Sequence, residues 1–262
     1  MGETAETPLR VETDGDVAIL TLNRPQKRNA LSDTLIEALA DAVEAAQRNS
    51  RAVVICGAGE HFSAGLDLAE HAERSPIEGV HHSRRWHAVF EKLEHGAIPV
   101  FSALHGAVVG GGLELAAATH VRVADESAFF ALPEGTRGIF VGGGGSVRVA
   151  RLMGVARMTD MMLTGRSVGA AQAEAWNLCQ YVVPEGEARA KAVELAKKAA
   201  GNAEMSNYAI LNALPRIADM ARGDGLFVES FVSAMTATSP EAEERLRAFL
   251  DKRAAKVARP GQ

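Results

Sequence analysis

The 262-residue chain is long enough for one large domain or two small ones, and 47% of its residues are hydrophobic, as in ordinary globular proteins. A formal net charge of −5 without a basic block disfavours nucleic-acid binding, and no apolar run approaches the roughly eighteen residues of a membrane span. Residues 1–6 lack the features of a signal peptide, and Cys56 and Cys179 lie beside apolar residues, as reduced core thiols do. We therefore expect a cytoplasmic protein with no nucleic-acid or membrane partner.

Strand patterns alternate with helix patterns in the first hundred residues. Apolar and polar residues alternate on both sides of Asp14-Gly15-Asp16, which predicts a hairpin, and Ser32 offers an N-cap to the helical pattern that follows. The predicted elements are a hairpin over residues 9–22, a helix over 34–47, a strand over 52–56, a polar loop over 69–80, a helix over 83–94 and a strand over 99–104. This order is that of an α/β domain.

Helical patterns dominate the second half of the chain. The predicted elements are strands over 120–124 and 127–132, helices over 146–152, 158–163 and 170–178, a brief strand at 182–183, and successive helices from 185 to a last one over 241–256. We expect an α/β core over residues 1–200 and a helical region over 201–262 that docks on itself or on a neighbouring subunit.

A glycine run near the middle of the chain is the leading candidate site. It begins at His105, passes through Gly110-Gly111-Gly112 and opens into a helical pattern that carries Glu114, and a second acid, Glu134, follows Pro133. Glycine lets the backbone approach a ligand, and the free N–H groups of a helix start receive negative charge. Taken alone, each acid could equally be a solvated glutamate beside a tight turn.

Six blocks, in the same order along the chain, resemble the enoyl-CoA hydratase/isomerase, or crotonase, superfamily. They are Asn23-Arg24-Pro25 with Asn29-Ala30-Leu31, Phe62-Ser63-Ala64-Gly65-Leu66-Asp67-Leu68, residues 106–115, Pro133-Glu134, Leu163-Thr164-Gly165 and residues 248–253. The resemblance spans nearly the whole chain. It implies an α/β fold, the crotonase (ClpP-like) spiral of ββα units with a C-terminal helical region, and assembly into trimers that usually pair into hexamers.

The resemblance also implies an acyl-CoA substrate and a set of residues that handle it. The backbone N–H groups of Leu66 and Gly111 would form an oxyanion hole, with Glu114 and Glu134 as the catalytic acids. No cofactor is implied, because coenzyme A is part of the substrate. The candidate substrate-binding residues are Arg24, Lys27, Arg28, Ser63, Ala64, Gly65, Asp67, Leu68, Gly110, Pro133, Arg137 and Lys252.

The predicted chemistry is hydration of a 2-enoyl-CoA, or the reverse dehydration. Two carboxylates in one apolar pocket can have their proton affinities pushed apart. We expect Glu114 to help activate the water that attacks the β-carbon and Glu134 to deliver a proton to the α-carbon. The alternatives are an enoyl-CoA isomerase, another CoA-thioester hydrolase of the same fold, and a non-catalytic acyl-CoA-binding or RNA-binding member.

Arg137 departs from the hydratase pattern in a way that could change the chemistry of the site, since many hydratases carry an apolar residue there. It could pair with Glu134 and keep that acid ionised, bind a carboxylate on an unusual acyl group, or form a surface salt bridge. The surface or structural interpretation is favoured. An ion pair with Glu134 would weaken proton donation by that acid.

Two further patterns favour structural roles. The run Gly142-Gly143-Gly144-Gly145 lacks the lysine of a phosphate loop, which predicts close backbone packing. The eight histidines are spread over separate elements, and His81, His82 and His87 lie in a polar stretch that predicts exposure. We therefore predict no metal centre.

Overall fold

The computed structural model describes residues 7–71 and 74–253, and the chain divides into two compact units, Met1–Gly201 and Asn202–Gln262. The strands are β1 (Leu9–Asp14), β2 (Val17–Leu22), β3 (Ala52–Gly57), β4 (Val100–Leu104), β5 (Ala107–Val109), β6 (Val121–Asp125), β7 (Phe129–Ala131), β8 (Ser167–Gly169) and β9 (Tyr181–Val183). The helices of the first unit are α1 (Asp33–Asn49), α2 (Leu68–His71), α3 (Pro76–Glu94), α4 (Gly111–Ala117), α5 (Gly145–Met153), α6 (Val155–Thr164), α7 (Ala170–Ala175) and α8 (Ala188–Ala200).

A six-stranded sheet in the order β1-β2-β3-β4-β6-β9 organises the first unit, and only the β1–β2 hairpin in it is antiparallel. Successive residues of β3 point to opposite faces. On one face Val54 packs with α8, in which every fourth residue from Ala188 to Ala200 is a buried alanine. On the other face Ile55 belongs to the core formed with α1 and α3. Both faces are therefore covered, as parallel sheets require.

A second sheet of three short strands, in the order β5-β7-β8, lies next to the glycine run. The sequence prediction misses β5 and β8, which are three residues each. Glycine flanks β5 and ends β8, which hides the strand pattern, and pairing with β7 decides their conformation instead. The predicted hairpin and the strands now labelled β3, β4, β6, β7 and β9 are confirmed, with small shifts of their ends.

The loop predicted over residues 69–80 is wrong at both ends, because α2 covers Leu68–His71 and α3 begins at Pro76 rather than near Ser83. The Ser75 hydroxyl accepts the Glu78 N–H, and the Glu78 carboxylate accepts the Ser75 N–H, which forms a capping box. Proline at the first helical position already has helical φ. These local signals lengthen α3 by two turns toward the candidate site.

The second unit contains α9 (Glu204–Asp219), α10 (Arg222–Ala237) and α11 (Pro240–Leu250). The helix predicted over 241–256 therefore ends at Leu250, and its last three residues lie outside the described part of the chain. Several large apolar side chains of this unit are exposed, among them Phe227, Phe231 and Phe249. No helix within the described residues is both long enough and apolar enough to cross a membrane.

Asn29 fixes the loop that leads into the candidate site. It is fully buried and left-handed, with φ of 53°. Its Oδ1 accepts the N–H of Arg24 at 2.9 Å, and its Nδ2 donates to the carbonyls of Ala58 and His61 at 2.9 and 2.7 Å. One side chain thus joins the Arg24 turn to the residues that precede Ser63.

We expect Asn29→Ala to lower the free energy of unfolding by about 3 kcal/mol, because it leaves three part-buried backbone groups without their partner. Urea denaturation measures the change. Asn49→Ala is the matched control, since Asn49 is exposed and donates only to the Ala45 carbonyl, and it should cost under about 0.5 kcal/mol. Equal stability of the two variants would show that the Asn29 side chain does not hold the loop.

Candidate active site

A cavity of 410 Å³ lies where residues 64–68, α3, the start of α4 and residues 134–143 meet. We call it the glutamate cavity because Glu114 and Glu134 both line it. Nine of the predicted site residues lie in its wall: Ala64, Gly65, Leu66, Leu68, Gly110, Gly111, Glu114, Glu134 and Arg137. Segments far apart in the sequence therefore meet at one concave surface, as ligand sites commonly require.

The backbone amides of Leu66 and Gly111 are neighbours in this wall. A Cβ added to Gly111 would lie 3.3 Å from the Leu66 nitrogen, and a Cβ added to Gly65 would lie 3.0 Å from the Gly111 nitrogen. Among the described residues, neither N–H has a hydrogen-bond acceptor. Two unpaired donors thus line the cavity side by side.

Glycine conformations bring the chain segments this close. Gly65 has φ of 93°, and a Cβ there would lie 2.7 Å from the Val109 carbonyl oxygen. Gly110 has φ of 54°, and a Cβ there would lie 2.9 Å from Glu134 Oε1. Any other residue would be strained at both positions and would push the loop or the acid away.

Glu114 is 3% exposed and held by the glycine run that follows Val141. Its Oε1 accepts the N–H groups of Gly143 and Gly145, each at 2.8 Å. Burial raises the pKa of Glu114, and these two hydrogen bonds oppose the rise because they favour the charged form. The close packing predicted for residues 142–145 is confirmed, since a Cβ on Gly145 would lie 2.9 Å from Glu114 Cγ.

Glu134 is 6% exposed, and its Oε2 has no hydrogen-bond partner in the described structure. Burial raises the pKa of Glu134 to about 7, and the nearby Glu114 carboxylate adds to the rise. Near neutral pH this acid is therefore about half protonated. The two glutamates therefore have different surroundings: Glu114 accepts two N–H donors, whereas Glu134 Oε2 has no partner. Separate acid and base roles need such a difference.

Arg137 forms no ion pair within the described residues, and it lies exposed in the cavity wall. Its charge lowers the pKa of Glu134 only slightly, against the larger effect of burial. The alternative in which Arg137 keeps Glu134 ionised is therefore wrong for this structure. The favoured salt-bridged surface role also lacks a partner residue among those described.

Four predicted site residues instead hold the loop in place from outside the cavity lining. Ser63 is fully buried, where its hydroxyl donates to the Asn29 carbonyl at 2.8 Å and accepts the Gly65 N–H at 3.1 Å. Asp67 pairs with Arg24 at 2.9 Å and with Lys27 at 3.3 Å. Burial opposes ionisation of Asp67, yet the two cations hold the pKa of its carboxyl below the usual value. These contacts hold the loop that carries the Leu66 amide in its conformation.

The remaining candidates lie elsewhere. Arg28 is exposed, and its carbonyl accepts the Ala64 N–H at 2.9 Å. The Pro133 carbonyl accepts the Thr136 hydroxyl at 2.7 Å. Lys252 belongs to the second unit and is exposed. Contacts of these residues with a CoA phosphate stay predictions.

His82 corrects the prediction that the histidines of this stretch are exposed, because it is 7% exposed and its Nε2 lies 3.0 Å from Asp33 Oδ1. The lengthened α3 turns it inward.

At the other end of α3, Glu91, Glu94 and His95 bring three metal-ligating side chains together. Arg148 forms ion pairs with both of these acids, so part of their charge is already offset.

Trp86 and Arg84 are among the cavity residues that had no predicted role. Trp86 is 3% exposed, and its ring edge lies 2.9 Å from where a Gly111 Cβ would be, so it supports the glycine run. Its helical spacing with Phe90 indicated only core packing. Arg84 is exposed in the cavity wall. Only the capping box of α3 could have signalled that this stretch reaches the site.

The two sheets, the covering helices and the cavity define a protein of the crotonase fold class. The sequence profile of the enoyl-CoA hydratase/isomerase family matches residues 12–259, and the chain belongs to that family. The resemblance drawn from the six sequence blocks is thereby confirmed.

Individual relatives cover nearly the whole chain. Enoyl-CoA hydratase EchA19 of Mycobacterium tuberculosis is 32% identical over 93% of this chain and 94% of its own length. The 2,3-dehydroadipyl-CoA hydratase of Escherichia coli is 35% identical over 90% of this chain and 93% of its own length. The crystal structure of a Rhodopseudomonas palustris protein is 54% identical, with a TM-score of 0.92 over 95% of this chain and 97% of that one. The predicted fold class is therefore confirmed.

Proposed function

We propose that the protein is an enoyl-CoA hydratase, which adds water to a 2-enoyl-CoA thioester and catalyses the reverse dehydration. The observation that carries the proposal is the glutamate cavity, where two unpaired amides and two differently held glutamates meet. Relatives that bear the hydratase name align over more than nine-tenths of their length. The reaction needs no separate cofactor, because the thioester carbonyl itself withdraws the electrons.

The first half of the mechanism is charge stabilisation at the carbonyl oxygen. When water attacks the β-carbon, electrons move through the conjugated system and the thioester oxygen becomes an enolate oxyanion. The N–H groups of Leu66 and Gly111 donate to this oxygen and form the oxyanion hole. Loss of one such donor costs about 3–4 kcal/mol of transition-state stabilisation in other enzymes.

The second half is proton transfer. Ionised Glu114 accepts a proton from the attacking water, and protonated Glu134 donates a proton to the α-carbon. Both carboxyl groups line one cavity. We infer that they act from the same face of a substrate whose carbonyl is fixed, so that the water oxygen and the new proton arrive on one face and the addition is syn.

Isomerisation of a 3-enoyl-CoA, or hydrolysis of a CoA thioester, is the alternative within the same fold. By the family resemblance an isomerase needs mainly the second acid. The pair of N–H donors that holds Glu114 favours hydration, since a buried carboxylate in such a setting is suited to orient water.

The proposal is tested by incubating the purified protein with crotonyl-CoA and with longer and aryl 2-enoyl-CoA thioesters. Loss of the conjugated absorbance is expected. A 3-enoyl-CoA would instead gain absorbance under isomerase activity, and a thiol reagent would detect CoA released by a hydrolase. If only one of these other signals appears, the hydratase proposal fails.

We also infer that residues 201–262 mediate assembly into a trimer or hexamer and that the protein works in the cytoplasm. The exposed apolar side chains of α10 and α11 support assembly, because such surfaces tend to be covered in oligomers. The buried free thiols of Cys56 and Cys179 support a reducing compartment. Sedimentation velocity of the purified chain measures the assembly directly.

A further inference from the structure

The glutamate cavity carries two positive charges that the hydration mechanism does not use. Arg84 and Arg137 both line the cavity and are exposed, and neither has an ion-pair or hydrogen-bond partner among the described residues. Neighbouring arginines are paired with acids, namely Arg24 with Asp67, Arg74 and Arg85 with Asp33, and Arg148 with Glu94. The cavity thus offers two free guanidinium groups to whatever enters it.

These two arginines come from elements that are joined to each other. The hydroxyl of Ser83, the residue before Arg84, donates to the Gly142 carbonyl, in the segment that follows Arg137. The same cavity wall carries the apolar residues Val80, Ile139 and Phe140. An apolar surface bordered by two guanidinium groups matches a hydrocarbon chain that ends in an anion.

Coenzyme A phosphates are the competing source of negative charge. The basic residues near the other end of the Leu66 loop are Arg24, Lys27 and Arg28, and none of them lines the cavity. Arg28 contacts the backbone at Ala64 and is exposed without a partner residue, so it is free to meet a phosphate outside the cavity. Charge for the CoA moiety is therefore available without Arg84 or Arg137.

We propose that Arg84 and Arg137 select a 2-enoyl-CoA whose acyl chain ends in a carboxylate. The inference rests on the proposed function and adds its substrate class. A guanidinium fork matches a carboxylate in two parallel hydrogen bonds, and an exposed lysine or an apolar residue would not supply that geometry. The thioester carbonyl lies at Leu66 and Gly111, while the chain crosses the apolar wall and its terminal carboxylate meets the arginines.

The test compares 2-hexenedioyl-CoA with 2-hexenoyl-CoA, which differ only at the end of the acyl chain. We expect kcat/KM of the native protein to favour the carboxylate-ended substrate by about tenfold or more. The double variant Arg84→Met and Arg137→Met should reduce this preference by about 10- to 100-fold, which corresponds to the free energy that hydrogen bonds to a charged group contribute. Arg137→Lys should keep part of the preference. Arg10→Met, on exposed β1, is the control that should leave the ratio unchanged.

Two kinetic results would overturn the inference: a native preference for the methyl-ended substrate, or a ratio that the variants do not change. An unchanged ratio with an equal loss for both substrates would place the arginines on the CoA moiety. Calorimetric binding of hexanedioyl-CoA and hexanoyl-CoA separates this inference from the hydratase proposal. If neither enoyl substrate is hydrated but hexanedioyl-CoA binds more tightly in an arginine-dependent manner, the hydratase proposal fails and the substrate class stands. Equal binding of the two saturated thioesters would remove the substrate class.

Discussion

Glu134→Gln should lower kcat for hydration by a factor of about 10² to 10⁴, which is the usual contribution of a positioned acid or base to the rate. Glutamine keeps the size of the side chain but cannot release a proton to the α-carbon. The KM for substrate should change little, because the oxyanion donors come from Leu66 and Gly111. Steady-state kinetics with crotonyl-CoA measures both constants.

The pH dependence gives the sharper form of this prediction. Glu134 donates only when protonated, and its pKa of about 7 means that the competent fraction falls roughly tenfold for each pH unit above that value. The rate of the native protein should therefore decline on the alkaline side of neutrality. In Glu134→Gln the residual rate should lose this decline.

Stability provides an independent check on the same group. The pKa of Glu134 is raised in the folded state, so its protonated form stabilises the fold below pH 4.5 and that contribution is lost as the pH rises through about 7. At pH 8 the native protein therefore retains a buried charge, and Glu134→Gln should be the more stable of the two, by on the order of 2–3 kcal/mol. Glu174→Gln, at an exposed position, is the control. A Glu134→Gln variant with native kcat would remove the acid from the mechanism.

Local sequence patterns were sufficient to predict the parts of the site that lie within one segment. Gly110 caps a helix that begins at Gly111, and an acid follows Gly111 by three positions, so the glycine turn and Glu114 could be predicted together. The hairpin and β3 could be predicted for the same reason, since alternation and apolar runs reflect their own burial. The partner of each segment could be named only through the family resemblance.

Contacts between distant segments explain what the sequence could not show. The N–H groups that hold Glu114 belong to Gly143 and Gly145, and nothing in that glycine run indicates which carboxylate it faces. The lack of a partner for Glu134 Oε2 follows from burial by several elements at once. His120 Nδ1 accepts the Val100 N–H at 2.9 Å, so it links the start of β4 to the residue before β6.

Glu114→Gln should also lower kcat by about 10² to 10⁴, through loss of the base that accepts a proton from water. The amide oxygen of glutamine can still accept the N–H groups of Gly143 and Gly145, so the loop should keep its place and KM should stay near the native value. Because burial raises the pKa of Glu114, the native rate should fall at acid pH earlier than an ordinary glutamate would cause, and the variant should lose that acid limb. Glu44→Gln, at an exposed position on α1, is the matched control.

The double variant decides whether the two acids act as a unit. If Glu114 and Glu134 serve the same water and the same enolate, removal of the second acid should cost little once the first is gone, as in other catalytic groups that work together. The rate of Glu114→Gln with Glu134→Gln should then lie within about tenfold of the slower single variant. A loss equal to the product of the two single losses would instead mean that the acids act in independent steps. In that case water activation and α-proton delivery would not share one transition state.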